Sequence, residues 1–413
     1  MQRIIDRIKK YFENKGYDRH EINYPLLFVV LLLSAISVFT IYVIGSGYNT
    51  QADFKKQLIG FAIGYVIVIV FSLIDYHVIC KFVIIYYIVV LALVAATRYS
   101  PLGSDNSTDA YRWIKLPGFD LQPSELCKLM IIFVLAVIFN RFQNKLNTFI
   151  PLLLALAVTI PPLFLILKQP DLSSSLVIIF IVLVMIYTSD TSYKILLPVA
   201  AVGIHGTAFV IWYALQPGSN ILSEYQVGRI IGFLNPENYP GIMYQQNYSI
   251  DAISSGKLYG KYILEGASTV RNYNYVDVTE SDFVWSAIGE EFGFIGWIII
   301  IAVLMVFIFL CLRVAKKAVD YLGKMIAIGI SSMFMFQVFV NIGVATRMLP
   351  NTGLPLPFIS SGLTAIFSYM MAVGVLINIG LNTPSKALGR GFLIKNKAVD
   401  LSKKNFDDYE TSL

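Results

Sequence analysis

Charged residues are scarce in this chain. Asp, Glu, Lys and Arg make up 14% of its 413 residues and hydrophobic residues 56%, against about 25% charged in soluble domains. That balance excludes a water-soluble globular fold. The net charge of +6 matters by its placement rather than its size, and nucleic acid is not an expected partner. Histidine is nearly absent: His20, His77 and His205 stand far apart, so no metal cluster is visible. The three cysteines, Cys80, Cys127 and Cys311, lie in or beside apolar runs with no CxxC pair. They read as membrane-packed thiols, which argues against a disulfide or a thiolate metal site. Residues 1–23 are charged and no small-residue cleavage site follows, so no removable leader is expected and the first span acts as an anchor. One phosphate-loop lookalike, Gly256-Lys257-Leu258-Tyr259-Gly260-Lys261, is a residue short and has Tyr262 where Ser or Thr belongs. A nucleotide site is not expected there. Internal repeats, and paired interrupted helices of the transporter kind, are also missing.

What the chain has instead is long hydrophobic segments. Stretches near the spanning length of about 17–25 residues occupy 24–45, 57–74, 78–97, 124–140, 149–167, 172–188, 195–214, 283–312, 325–346 and 363–381. They predict an all-α polytopic membrane protein, a bundle of about ten transmembrane helices with one large outer loop. Ahead of them, Ile4, Ile5, Ile8, Tyr11 and Phe12 share a helical face among Arg3, Arg7, Lys9 and Lys10, a pattern suited to the membrane surface. The chain therefore divides into a basic lead-in (1–23), a membrane domain (24–381) and a tail (382–413) that is basic, then acidic.

Ten spans put both termini on one side. With that side inside, 20 of the 32 Lys and Arg residues fall on inner segments, so the positive-inside rule places both termini in the cytoplasm. The stretches 98–123, 214–283 and 347–362 then face outward. No cytosolic nucleotide reaches that side, so a reaction there must use an activated substrate delivered through the membrane.

The loop 214–283 is mostly polar and rich in Tyr, Asn and Gly, with four aromatic residues within 239–259. Loops of this length are functional or disordered, and this one lacks the aromatic-poor, charge-rich composition of disorder. It reads as an ordered loop over a site. It ends in Ser281-Asp282-Phe283, and the next apolar segment opens with Gly289-Glu290-Glu291-Phe292-Gly293. Asp282, at the junction, is the first candidate for chemistry; an acid there is equally placed to cap the following helix. Upstream, Arg112-Trp113 and Lys115 precede Gln122-Pro123-Ser124-Glu125 and Lys128. Pro123 suits a helix start, and Glu125 and Lys128 share a helix face, either as a structural pair or as a cationic site for a lipid phosphate. Gln169-Pro170-Asp171-Leu172 opens another span, with Asp171 placed as an N-terminal helix acid. Late in the chain, Asn341 to Arg347 leads into Pro350 to Gly362, a rigid non-helical loop. Such backbone near membrane depth is tolerated where it is buried or lines a wet cavity.

Taken together, Arg112-Trp113, Gln122-Pro123-Ser124-Glu125 with Lys128, Gln169-Pro170-Asp171-Leu172, Ala252-Ile253-Ser254-Ser255-Gly256 with Gly260-Lys261, Ser281-Asp282-Phe283, Gly289 to Gly293, and the 341–362 stretch resemble the SEDS family (shape, elongation, division and sporulation). The resemblance covers about 24–381. It implies ten spans in a bacterial cytoplasmic membrane and a peptidoglycan glycosyltransferase that polymerises lipid II outside it. It also implies a class B penicillin-binding transpeptidase as partner, with membrane lipids around both. The family's essential aspartate falls on Asp282. Two departures mark a divergent member: Ser173 stands where Gly is usual, and Ser360-Ser361-Gly362-Leu363-Thr364 replaces a double-glycine signature. Elongation, division and sporulation roles all remain open.

That chemistry needs the acceptor's 4-hydroxyl to attack C1 of a donor leaving as polyprenyl pyrophosphate. A positioned carboxylate base is worth about 10²–10⁴-fold, and Asp282 is the candidate. The anionic leaving group calls for cations: Arg112, Lys115, Lys128, Lys257, Lys261 and Arg347 face outward, with a divalent cation (Mg or Mn) as an alternative whose ligands the sequence does not identify. On an unbroken helix Glu290 lies about 80° from Asp282 and Glu291 about 180°, so Glu290 is expected to share the cavity. Two rival readings use the same residues: a flippase or transporter of the lipid-linked precursor, and a non-catalytic scaffold for a transpeptidase.

The topology has a direct check. A cysteine introduced at Asn247 should react with an impermeant thiol reagent on intact cells or protoplasts, and one at Lys317 should not. The reverse pattern would place the 214–283 loop inside.

Overall fold

The computed structural model describes residues 23–48, 52–101, 103–104, 111–117, 119–214, 216, 224–266 and 271–382; the lead-in before residue 23 and the tail beyond 382 lie outside them. Ten long helices fall on the ten apolar segments: α1 (Tyr24–Tyr48), α2 (Ala52–Leu73), α4 (Val83–Tyr99), α5 (Pro123–Arg141), α6 (Phe149–Lys168), α7 (Leu172–Thr188), α8 (Tyr193–Ala214), α12 (Val284–Lys317), α13 (Tyr321–Ala345) and α14 (Leu363–Leu381). Among the described residues seven are long and apolar enough to cross a membrane, and α4 and α7 are shorter apolar helices. The third segment is not one piece. Asp75 caps a six-residue helix, α3 (Tyr76–Lys81), and Phe82 separates it from α4.

Apolar residues point both ways, as the solvent demands. Helices α5, α13 and α14 are mostly buried, while α2, α6 and α12 turn much of their surface outward; Ile84, Ile88, Leu153, Ile160 and Phe164 are exposed, as side chains facing lipid should be. The sequence reading did not foresee a small antiparallel sheet, β1 (Gly103–Ser104), β2 (Trp113–Leu116) and β3 (Phe119–Leu121), in order β1-β2-β3. Lys115 pairs with Asp120 across its hairpin. Thr364 at the start of α14 accepts from Gln122 N at 3.3 Å and donates to Asp120 O at 2.8 Å, which pins the hairpin to that end of the bundle.

The long polar loop is largely helical: α9 (Glu224–Leu234), α10 (Pro240–Ser255) and α11 (Lys261–Glu265). It meets α12 where that helix is interrupted. Gly293 takes φ 63° and ψ −166°, and past it Phe294 N and Ile295 N donate to Lys257 O and Leu258 O at 2.9 and 3.1 Å. The approach is backbone to backbone. A Cβ on Gly260 would lie 2.2 Å from Glu291 O, and one on Gly293 2.3 Å from Gly260 N. The phosphate-loop lookalike is thus a contact surface: its glycines at 256 and 260 receive the glycines at 289 and 293. Beside it α11 leaves Ile263 and Leu264 exposed, while Tyr262 packs edge-on against Phe39 of α1 at 5.7 Å.

At the far end of the bundle His77 joins two turns. Its Nδ1 lies 2.7 Å from Asp75 and its Nε2 2.7 Å from Asp320, and Tyr76 donates to Asp320 at 2.7 Å. The hydrogen bonds to Asp320 and then Asp75 outweigh partial burial and raise the imidazole pKa from 6.5 to about 9. A folded-state pKa above the unfolded one stabilises fully below about pH 6.5, and the gain fades as pH rises through about 9. Thermal unfolding in detergent should therefore fall between those pH values in the parent, and His77→Ala should remove that part of the slope.

Candidate functional site

Asp282 sits in a turn built before α12 begins. Thr279 donates to Tyr273 O and Val276 O at 2.9 and 2.6 Å, and Ser281 N and Asp282 N both reach Val278 O at 3.1 Å. The N-cap of α12 is Phe283, with no side-chain cap bond, so the capping alternative for Asp282 is not what the fold uses. The late loop holds the turn from its other side. Ser361 N donates to Glu280 O at 2.8 Å, Ser360 donates to Ser281 O, and the Asn341 amide donates to Asp282 O at 2.9 Å and Leu354 O at 2.7 Å. Gly353, at φ +72°, passes so close that a Cβ there would lie 3.0 Å from Asp282 Oδ2. The late loop is itself anchored: Ser37 donates to Ile359 O at 2.9 Å and Gln57 to Ser37 at 2.8 Å. Non-helical backbone at this depth thus finds partners within the protein, as a bilayer requires.

The Asp282 carboxyl is half-buried. Desolvation raises its pKa; Arg229 of α9, a hydrogen bond from Ser281 and then Arg112 oppose this, while Asp171 reinforces it. Arg112 is fixed by Gln169 O at 3.3 Å and Pro170 O at 2.5 Å. Asp171 is buried, yet its pKa is lowered, because Arg112 and hydrogen bonds from Ser173 and Ser174 overcome desolvation. Its Oδ1 takes Ser173 Oγ at 2.8 Å and Ser174 N at 3.0 Å; its Oδ2 takes Ser124 Oγ at 3.3 Å. Asp171 does cap α7, and Ser173, one of the two departures noted above, supplies one of the carboxylate's donors. Next to Ser124, Glu125 and Lys128 pair at 2.7 Å with both side chains fully buried. Burial of such a pair away from water is costly, which keeps both a structural lock and a functional site open for it.

The remaining sequence candidates lie elsewhere. Lys115 is exposed on the hairpin and Lys257 at the loop edge. Arg347 donates to Asn247 at 3.1 Å. The expected sharing of a cavity by Glu290 and Asp282 is corrected: Glu290 pairs with Lys261 and accepts from Asn272 N and Tyr273 N at 2.9 Å each. Glu291, expected on the opposite face, joins the same knot by accepting from Arg271 Nε and Tyr273 Oη at 2.9 Å. Arg271 also reaches Glu265 at 3.1 Å and Gly266 O at 2.8 Å. Both carboxylates therefore dock the loop on α12. Sequence reasoning missed Arg271 and Arg229. Arg229, which also donates to Asn351 O at 3.2 Å, stands in an amphipathic helix with no motif around it.

The described residues build no all-protein cage for a divalent ion. Among the described residues no group of three or more His, Cys, Asp and Glu is placed to hold one. Asp171 has both oxygens engaged and Glu125 holds Lys128, which leaves Asp282 as the carboxylate that would hold such an ion, together with substrate phosphates and water.

A helical membrane bundle with a carboxylate and arginines gathered at one end defines a class, and the comparisons supply the family. Residues 22–384 match the family of cell cycle proteins named for FtsW, RodA and SpoVE; the chain belongs to that family. It is 31% identical over 387 residues to the probable peptidoglycan glycosyltransferase FtsW of Trichlorobacter lovleyi, covering 91% of this chain and 96% of that one. It is 30% identical to stage V sporulation protein E of Bacillus subtilis (86% and 94% covered) and to the peptidoglycan glycosyltransferase MrdB of Escherichia coli (85% and 92%). The fold is shared with a chain from a peptidoglycan synthase complex described as coordinating polymerization and crosslinking, at TM-score 0.72 and 24% identity over 87% and 97% of the two chains. It is also shared with RodA of Thermus thermophilus, at TM-score 0.62 and 21% identity over 87% and 96%.

The docking knot makes its own prediction. Arg271→Ala strands Glu291 in a buried site, and breaking such a pair costs about 3–5 kcal/mol. Thermal unfolding should drop accordingly, and Arg271→Lys, which lacks the guanidinium fork, should not restore it.

Proposed function

We propose that this protein is a peptidoglycan glycosyltransferase that polymerises lipid II into glycan strands on the outer face of the bacterial cytoplasmic membrane, with Asp282 as general base. The observation that carries this reading is the clamped, half-buried Asp282 with Arg229 and Arg112 beside it. The site-bearing end of the bundle is taken as outward on the excess of Lys and Arg in the other segments and tails.

In the reaction Asp282 accepts the proton of the acceptor's 4-hydroxyl. The oxygen bonds to C1 of the donor sugar as the C1–O bond to pyrophosphate breaks, and polyprenyl pyrophosphate leaves with the electron pair. Desolvation makes Asp282 a stronger base than a free carboxylate, since its pKa is raised. The arginines face a different task. Arg112 and Arg229 offer fixed positive charge where negative charge develops, the arrangement that contributes most in enzyme sites. Lys128 is the third cation of the site. No step is routed through a divalent metal; one would be held by Asp282 together with the pyrophosphate and would supply further positive charge to the leaving group. A class B transpeptidase is the partner this reading implies; a shared fold with a chain from a complex of polymerization and crosslinking supports it.

Asp282→Asn keeps size and hydrogen bonding but accepts no proton. With Phe283 at the N-cap, the variant should express and unfold as the parent does. Polymerisation of lipid II by the purified protein, with and without a transpeptidase partner, should fall at least about a hundredfold. A variant that polymerises at close to the parental rate would make Asp282 structural and end this assignment.

A further inference from the structure

Four polar atoms lie buried and unpartnered in one small region of the bundle: Glu125 Oε2, the Tyr369 hydroxyl, and both amide atoms of Gln337. Their residues are 2%, 1% and 0% exposed. Buried polar atoms nearly always have partners, and exceptions call for an explanation. These three side chains come from three helices, α5, α14 and α13, and they face one another. Ser368 donates to Glu125 O at 3.1 Å, which sets its neighbour Tyr369 against the first turn of α5. Tyr369 in turn interacts with the Gln337 side chain and lies within electrostatic reach of Glu125. The tyrosine ring is wedged between Phe334 and Phe358, each 5.6 Å away, so its hydroxyl is fixed in place.

This region connects to the site. Asn341, one helical turn from Gln337 and therefore on the same face of α13, holds the Asp282 carbonyl at 2.9 Å. Glu125 has a single side-chain partner, Lys128, at 2.7 Å. Lysine stems on a helix lean toward its N-terminus, and the N-terminus of α5 is at the Asp282 end. Turning Lys128 toward an anion there draws it away from Glu125, and a carboxylate abandoned in a buried site is strongly disfavoured.

We infer that the Tyr369 hydroxyl and the Gln337 amide form a second seat for the Glu125 carboxylate, which releases Lys128 to meet the pyrophosphate of the departing lipid. The inference rests on the reading that the site transfers a sugar from a pyrophosphate-linked donor. In the resting arrangement Lys128 neutralises Glu125, and Tyr369 and Gln337 have only each other, without a well-formed hydrogen bond. When the leaving group carries its negative charge to Lys128, the freed carboxylate takes the O–H and N–H donors instead. No buried charge is stranded in either arrangement. Tyr369 and Gln337 are thus positioning residues that act through Glu125 and Lys128.

Tyr369→Phe and, separately, Gln337→Met test this in the full chain, purified in detergent, with lipid II polymerisation and thermal unfolding both measured. An idle buried hydroxyl or amide can be removed without loss of stability, so the unfolding temperature should hold or rise. Loss of a hydrogen bond to a charged group in the transition state should lower kcat about tenfold or more, with KM nearly unchanged. Parental kcat in both variants would overturn the inference. So would a loss of rate matched by a fall in unfolding temperature, which would mean that a bridging water or packing is all these groups support. Lys128→Met separates the inference from the reading beneath it. If Lys128→Met is inactive while Tyr369→Phe and Gln337→Met are parental, the second seat alone is wrong. If Lys128→Met polymerises at the parental rate, the leaving-group role of Lys128 falls and takes the seat with it.

Discussion

A helix cannot be interrupted inside a bilayer unless something else accepts its backbone hydrogen bonds. At Gly293 that acceptor is the loop: Lys257 O and Leu258 O take the N–H groups that the break releases. The loop and α12 are consequently one folding unit, and neither is well formed without the other. Much of the site follows from this exchange. The glycines at 256, 260, 289 and 293 let the backbones touch. Glu290 and Glu291, carried into the bundle by α12, find their partners on the loop residues Lys261, Arg271, Asn272 and Tyr273. Thr279 then closes the turn that presents Asp282.

The second non-helical element, residues 350–362, completes what the loop begins. Asp282 lies between the two, its backbone fixed by Asn341 and the adjoining residues by Ser360 and Ser361. Carbonyls, amides and hydroxyls do this work, which keeps the carboxylate itself out of the scaffold. The charged groups around it are ranked by environment. Asp171 is saturated with donors and stays ionised, while Asp282 is desolvated and has the higher proton affinity. Two carboxylates near one arginine thus differ: one anchors α7, and the other is left with the proton affinity that the proposed base requires.

The fold was legible because spanning length is a simple signal, and all ten apolar segments became helices. Where the sequence reading strayed, the cause is specific. The third segment hides a turn at Phe82, since Phe is apolar and leaves no mark on a hydropathy pattern. Glu290 was assigned to the cavity by angle alone, and an angle around one helix says nothing of partners arriving from another segment. Arg229 and Arg271 left no signal because each gains its meaning only when the loop folds back, one onto Asn351 and the other onto Glu291. The place of Asp282 at the loop-to-helix junction was legible, and the sequence left a cap equally open there. The cap position belongs to Phe283.

The exposed face of α11 ties the site to its surroundings. Ile263 and Leu264 point away from the protein, next to Tyr262 on Phe39 and one residue from the Lys261–Glu290 pair. Apolar side chains at the edge of a bilayer settle at a preferred depth, with a modest cost for each ångström of mismatch. The same five-residue helix that seeks that depth is fastened to the broken part of α12. An apolar surface of this kind, wherever it meets lipid, is coupled through Lys261 and Glu290 to the segment that leads to Asp282.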